Sequence, residues 1–158
     1  MLFQFIVSML SAVGFALVFQ VPKKALLVSS LNAGVGWIIY KIVIYYTGSN
    51  YMGTFFSAFV ISLISEICAK LFRHPSLIFI VPGVINLCPG EAIYDTMKNF
   101  VNNQFQNVIL LLFKTVALAG AIAFGIILSS VFSSNMKNFK LRKTKRTNYL
   151  KIYKRRKK

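Results

Sequence analysis

Five apolar runs separated by gaps of only 3, 4, 4 and 10 residues constrain this chain more than any other feature of its sequence. The runs are Leu2 to Val21, Ala25 to Tyr46, Tyr51 to Leu71, Ser76 to Met97 and Val108 to Phe132, together 110 of the 158 residues. A helix needs about 20 such residues to cross the hydrocarbon core of a bilayer. Gaps this short hold no soluble domain, and only helices and closed barrels satisfy their backbone polar groups in lipid. The runs are too long and too uniform for barrel strands. The expected fold is therefore an all-α integral membrane bundle of about five transmembrane helices over residues 1–136. Residues 137–158 form a basic cytoplasmic tail, expected to be disordered.

Charge supports that division. Only 14% of the residues are charged, against roughly 25% in ordinary soluble chains. Of the 19 Lys and Arg, 12 lie between Lys137 and Lys158. The fourth run is interrupted by Pro82, Pro89, Glu91 and Asp95, and charge bias decides whether it spans. With five spans, Lys23-Lys24, Arg73-His74 and the tail share one face; with four, the first two fall opposite the tail, against the positive-inside tendency. This places the N-terminus outside and the C-terminus in the cytoplasm of a multi-pass cell-membrane protein. Met1 to Phe5 carries no positive charge and no cleavage site closes the first run, so that run is read as a span and not as a removed signal. Lys41 and Lys114 are expected to snorkel to the outer interface.

Small residues recur every fourth position in three spans: Ser8, Ala12, Ala16 and Gln20; Thr54, Ala58, Ser62, Glu66 and Lys70; Ala117, Ala121, Gly125, Ser129 and Ser133. Such stripes let helix backbones approach in lipid. Glu66 and Lys70 are four apart, which suits a structural ion pair. Cys68 and Cys88 are expected as free thiols, and His74 as a headgroup-level residue at a helix start.

Chemistry concentrates between Ile80 and Met97. Two Pro-Gly pairs, Pro82-Gly83 and Pro89-Gly90, each remove a backbone donor, so the helix is expected to break near mid-membrane. Broken backbone at that depth is tolerated only within protein or beside a watery cavity, and transporters aim such half-helix ends at substrate ions. Asn86 lies between the pairs. Pro82, Gly83, Asn86, Pro89, Gly90 and Tyr94 are the candidate substrate-binding residues. Glu91 and Asp95, four apart on one face, are the candidate proton carriers. One histidine and three acids offer no triad, metal site or nucleotide loop, so no enzyme activity, cofactor or metal is expected. The basic tail is read as an orientation signal lying against anionic lipid, in preference to a nucleic-acid contact.

Phe19-Gln20-Val21-Pro22-Lys23-Lys24-Ala25-Leu26, the stretch Gly34-Val35-Gly36-Trp37, and above all Ile80 to Met97 resemble the second half of the threonine/serine exporter (ThrE) family, in particular its small subunits of the YjjB type. The resemblance covers roughly Val13 to Ser130. The family's broken span reads approximately P-G-I-I-P-L-V-P-G-x-x-I-Y-x-T-M; Asn86 departs from it, standing where proline is usual. The resemblance implies export of threonine and serine, or of a dicarboxylate such as succinate, together with a larger membrane subunit similar to the family's first half. A non-transporting scaffold or assembly subunit is the alternative from a different class.

Overall fold

The structure, a computed structural model, describes residues 2–156, with side chains placed over 2–135 apart from Lys24. The described residues are helical apart from short connecting turns, and no strand occurs among them. The helices are α1 (Leu2–Val18), α2 (Lys23–Thr47), α3 (Asn50–Phe72), α4 (Leu77–Val84), α5 (Gly90–Val101) and α6 (Phe105–Arg156), with a 3-10 turn, Ile85–Leu87, between α4 and α5. Three helical stretches are long and apolar enough to cross a membrane, Ala25–Thr47, Asn50–Phe72 and Phe105–Asn135; the pair Leu77–Leu87 and Gly90–Val101, bent by 51°, makes a fourth if it is one span. α1 is apolar but has only 17 residues, a length of about 25 Å. It stops short of the expected Val21 because Gln20 adopts a left-handed conformation with φ of 53°. Left-handed residues also close α2 at Gly48, α3 at Arg73 and the α5–α6 turn at Asn103, which keeps the connections short.

α3 is the centre of the bundle. It packs on α2 along one side and on α6 along another, while α1 lies against α2, α4 against α2 and α3, and α5 against α6. Its buried residues are mostly small: Gly53, Thr54, Ser57, Ala58, Ser62 and Ser65, with Ile61 the one large side chain. The expected stripe on α6 meets it through Gly125, Ser129 and Ser133, whereas Ala117 is exposed. At Gly125 a methyl group would stand 2.8 Å from the Phe55 carbonyl oxygen, so the two backbones touch there and only glycine fits. On α1 the stripe Ser8, Ala12, Ala16 is buried, and Gln20 is not.

Polar side chains cross the seams. Asn32 Nδ2 donates to the Ile61 carbonyl at 3.1 Å and to Ser65 Oγ at 2.8 Å, joining α2 to α3, and Ser57 Oγ donates to the Gly36 carbonyl at 2.6 Å. Each such bond replaces an unsatisfied group in hydrocarbon. Lys70 does not pair with Glu66 as expected from their spacing: its ammonium donates to Ser133 Oγ of α6 at 2.7 Å. Lys41 lies over the Trp37 ring, 5.5 Å from its centroid.

The break in the fourth span is sharper and later than the two Pro-Gly pairs suggest. Pro82 sits inside α4 without ending it, and Pro82 and Gly83 are both buried. The chain leaves the helix only at Cys88, with φ of −56° and ψ of 133°, the extended conformation that a residue before proline favours. α6 continues to Arg156, into the segment expected as disordered. No glycine or proline follows Gly125, and Leu, Lys and Arg sustain helix well. The basic side chains beyond residue 135, on which the lipid expectation rests, lie outside the described side chains.

Candidate functional site

The second Pro-Gly pair opens a cavity of about 310 Å³ between α2, the start of α3, the start of α5 and α6. Its floor is the break itself, from Asn86 to Ala92. Asp95, one turn further along α5, faces it with Glu91, as their spacing requires. Across from them stand Lys114 and Leu118 of α6, Trp37 and Tyr40 of α2, and Asn50 and Thr54 of α3. The cavity thus holds two of the three acids in the chain and one lysine.

Local structure explains the electrostatics. α5 begins at Gly90, and Glu91 lies in its first turn. The first amides of a helix lack intrahelical acceptors and carry the positive end of the helix dipole. No side chain caps this end; the Gly90 amide donates to the Cys88 carbonyl at 2.8 Å, and Gly90, Glu91 and Ala92 line the cavity beside Pro89. One wall therefore offers an anion-binding helix terminus and two carboxylates within a turn of each other. The opposite wall offers an ammonium. An ion entering from water would find both signs of charge in a space partly walled by aromatic and aliphatic side chains, where low dielectric strengthens each interaction.

Of the candidate substrate residues, Asn86, Pro89 and Gly90 line this cavity, as do the candidate proton carriers Glu91 and Asp95. Pro82 and Gly83 do not: they are buried in α4, where a methyl group on Gly83 would come 2.7 Å from Ile61 Cγ2. Tyr94 points away and is 67% exposed. Asn86 is committed to packing as well, since its Nδ2 donates to the Ser8 carbonyl at 2.9 Å and to Ser8 Oγ at 2.8 Å. Sequence reasoning missed Trp37, Tyr40, Asn50 and Thr54, and did not assign Lys114, which also lines the cavity, to the site. The signals were there for Lys114, a lone charge within an apolar run, and for Trp37, the only tryptophan. Among the described residues no group of three or more His, Cys, Asp or Glu is placed to hold a metal ion.

The family model for the threonine/serine exporter, ThrE, matches residues 4–132, which include the whole cavity. An uncharacterized protein of Haemophilus influenzae is 29% identical over 137 residues, covering 81% of this chain and 46% of that protein. The chain therefore spans about half the length of that curated relative. No solved structure gives a significant match.

Proposed function

Because this chain belongs to the threonine/serine exporter family, we propose that it is a membrane subunit of a secondary exporter of small amino acids, threonine and serine, acting with a larger membrane partner. The observation that carries this reading is the mixed charge of the cavity at the break: Glu91 and Asp95 near the start of α5, and Lys114 across from them. A zwitterion is complementary to it. Its ammonium fits between the two carboxylates, while its carboxylate fits the α5 N-terminus or the Lys114 ammonium. One acid then remains to exchange a proton, which is the coupling role assigned to Glu91, with Asp95 as its neighbour. Thr54 and Asn50 supply polar groups for a side-chain hydroxyl.

The partner is supported by length. A relative that carries about twice this chain suggests a second half supplied elsewhere. Lys23-Lys24, Arg73 and the basic tail support a cell-membrane topology with the N-terminus outside, which puts the cavity in the outer half of the bilayer and the tail against anionic lipid. Lys114 and the free helix terminus also favour a second substrate class, a dicarboxylate of the succinate type. Two acids in the same cavity repel a dianion, so the zwitterion is the better fit.

Efflux from cells loaded with threonine, serine or succinate tests the proposal, with this chain expressed alone, with its candidate large partner, and with the partner alone. Threonine and serine efflux that needs both chains is the expected result. Succinate efflux would transfer the reading to dicarboxylates. Absence of all three, with insertion verified, would leave a scaffold subunit.

A further inference from the structure

A second cavity, of about 250 Å³, lies on the other side of the break, against α1. Its wall is mostly apolar, with Phe3 and Val7 beside the polar Gln4 and Ser11. Two residues line both cavities: Trp37 and Asn86. They form the partition between a charged chamber and an apolar one. What holds the partition is a small set of hydrogen bonds. Asn86 Nδ2 donates to Ser8 O and Ser8 Oγ, and Ser8 Oγ donates to the Ala33 carbonyl at 3.3 Å, so the 3-10 turn of the break is tied to α1 and α2 through one serine. Trp37 is steadied on its own helix by Tyr40, 5.3 Å between ring centroids, and by Lys41 over its face.

We propose that Trp37 and the Ser8–Asn86 hydrogen bonds form a movable partition in the solute path, with Ser8 and Trp37 as positioning residues. Opening of the partition joins the two cavities into one path for the solute. The solute in this statement rests on the exporter reading above. Movement at this place is inexpensive for the fold. The turn has only three residues, the chain unwinds directly after it at Cys88-Pro89, and opening breaks side-chain bonds without separating the α3 seams. A tryptophan suits the position because it combines a large apolar ring with a polar N–H.

Because Trp37 is the only tryptophan, its fluorescence reports the partition directly. The experiment uses the purified full-length chain in phosphatidylcholine nanodiscs, with acrylamide as the aqueous quencher and threonine as the solute. Threonine is expected to produce a saturable change in Trp37 emission in the unmodified protein. Asn86→Ala, which removes both bonds to Ser8, should raise the quenching constant about fivefold, and Ser8→Ala, which removes only the bond to Oγ, should raise it by less. Ser8→Thr, which keeps the hydroxyl, should stay at the unmodified value, and helix content by circular dichroism should be equal in all four proteins. Equal quenching in Asn86→Ala and the unmodified protein, or a Ser8→Thr variant as quenchable as Ser8→Ala, would overturn the partition. Efflux by a chain whose Trp37 emission ignores threonine would remove the partition and leave the exporter reading standing. Quenching that responds to Asn86→Ala in a chain that exports nothing even with its candidate large partner would support the partition and remove the transport reading instead.

Discussion

Pro82-Gly83 and Pro89-Gly90 are the same dipeptide placed seven residues apart in one apolar run, yet the first lies inside a continuous helix and the second ends one and opens a cavity. The residue before each proline shows the difference. Val81 stays helical although proline disfavours it there, because α4 is pressed between α2 and α3, with Phe79, Pro82 and Gly83 buried. Cys88 is exposed, nothing holds it in the helix, and it takes the extended conformation. The glycines divide in the same way. Gly83 leaves room for Ile61, whereas a side chain on Gly90 would meet nothing within 4 Å. A Pro-Gly pair is thus a permission to break, and packing decides whether the permission is used.

The strongest test of that contrast is a pair of identical substitutions. Gly83→Ala should cost about 2 kcal/mol, because Ile61 is fully buried and has no space to withdraw into. Gly90→Ala should stay within about 0.5 kcal/mol. Thermal unfolding of the detergent-purified variants measures both, and equal losses would break the comparison. Next in size is the chemistry of the second pair. Glu91→Gln removes one charge-assisted contact from the cavity and should lower efflux about tenfold at equal protein level. Unchanged efflux would take Glu91 out of the coupling role. The smallest effect is expected far from both pairs. Ser133→Ala deletes the acceptor of the Lys70 hydrogen bond at a part-buried position and should cost less than about 1 kcal/mol, with efflux unaltered. A loss as large as that of Gly83→Ala would mean that the α3–α6 seam depends on this bond more than on the contact at Gly125.

Much of the bundle was legible because it follows from local pattern. Apolar runs of the right length became helices, and the four-residue spacing of Gly125, Ser129 and Ser133 marked the face that meets α3. The break was legible at Pro89-Gly90, and with it Asn86, Glu91 and Asp95 as neighbours on one short stretch of chain. What failed depended on partners distant in sequence. Lys70 has a carboxylate four residues away and a serine 63 residues away, and only the packing of α3 on α6 reveals that the serine is the partner. Lys114 is one charge among apolar residues on its own helix; that it shares a cavity with Glu91 and Asp95 follows only from the packing of α5 on α6. Trp37 was marked in the sequence only by being the single tryptophan, without a charge or spacing that points to a site. Its role depends on lining both cavities.

The account's central claim is that the cavity at the second break receives the exported amino acid, and the two native cysteines allow it to be tested without altering the cavity. Cys88 is exposed and lines that cavity, while Cys68 lies half-buried on α3 away from it. The direct measurement is the rate at which a thiol reagent modifies each cysteine in membrane vesicles, with and without saturating threonine, read by peptide mass spectrometry. The account predicts that threonine slows modification of Cys88 and leaves Cys68 unchanged. Equal rates at Cys88 with and without threonine, in vesicles that still transport it, would place the solute elsewhere in the protein and contradict the claim.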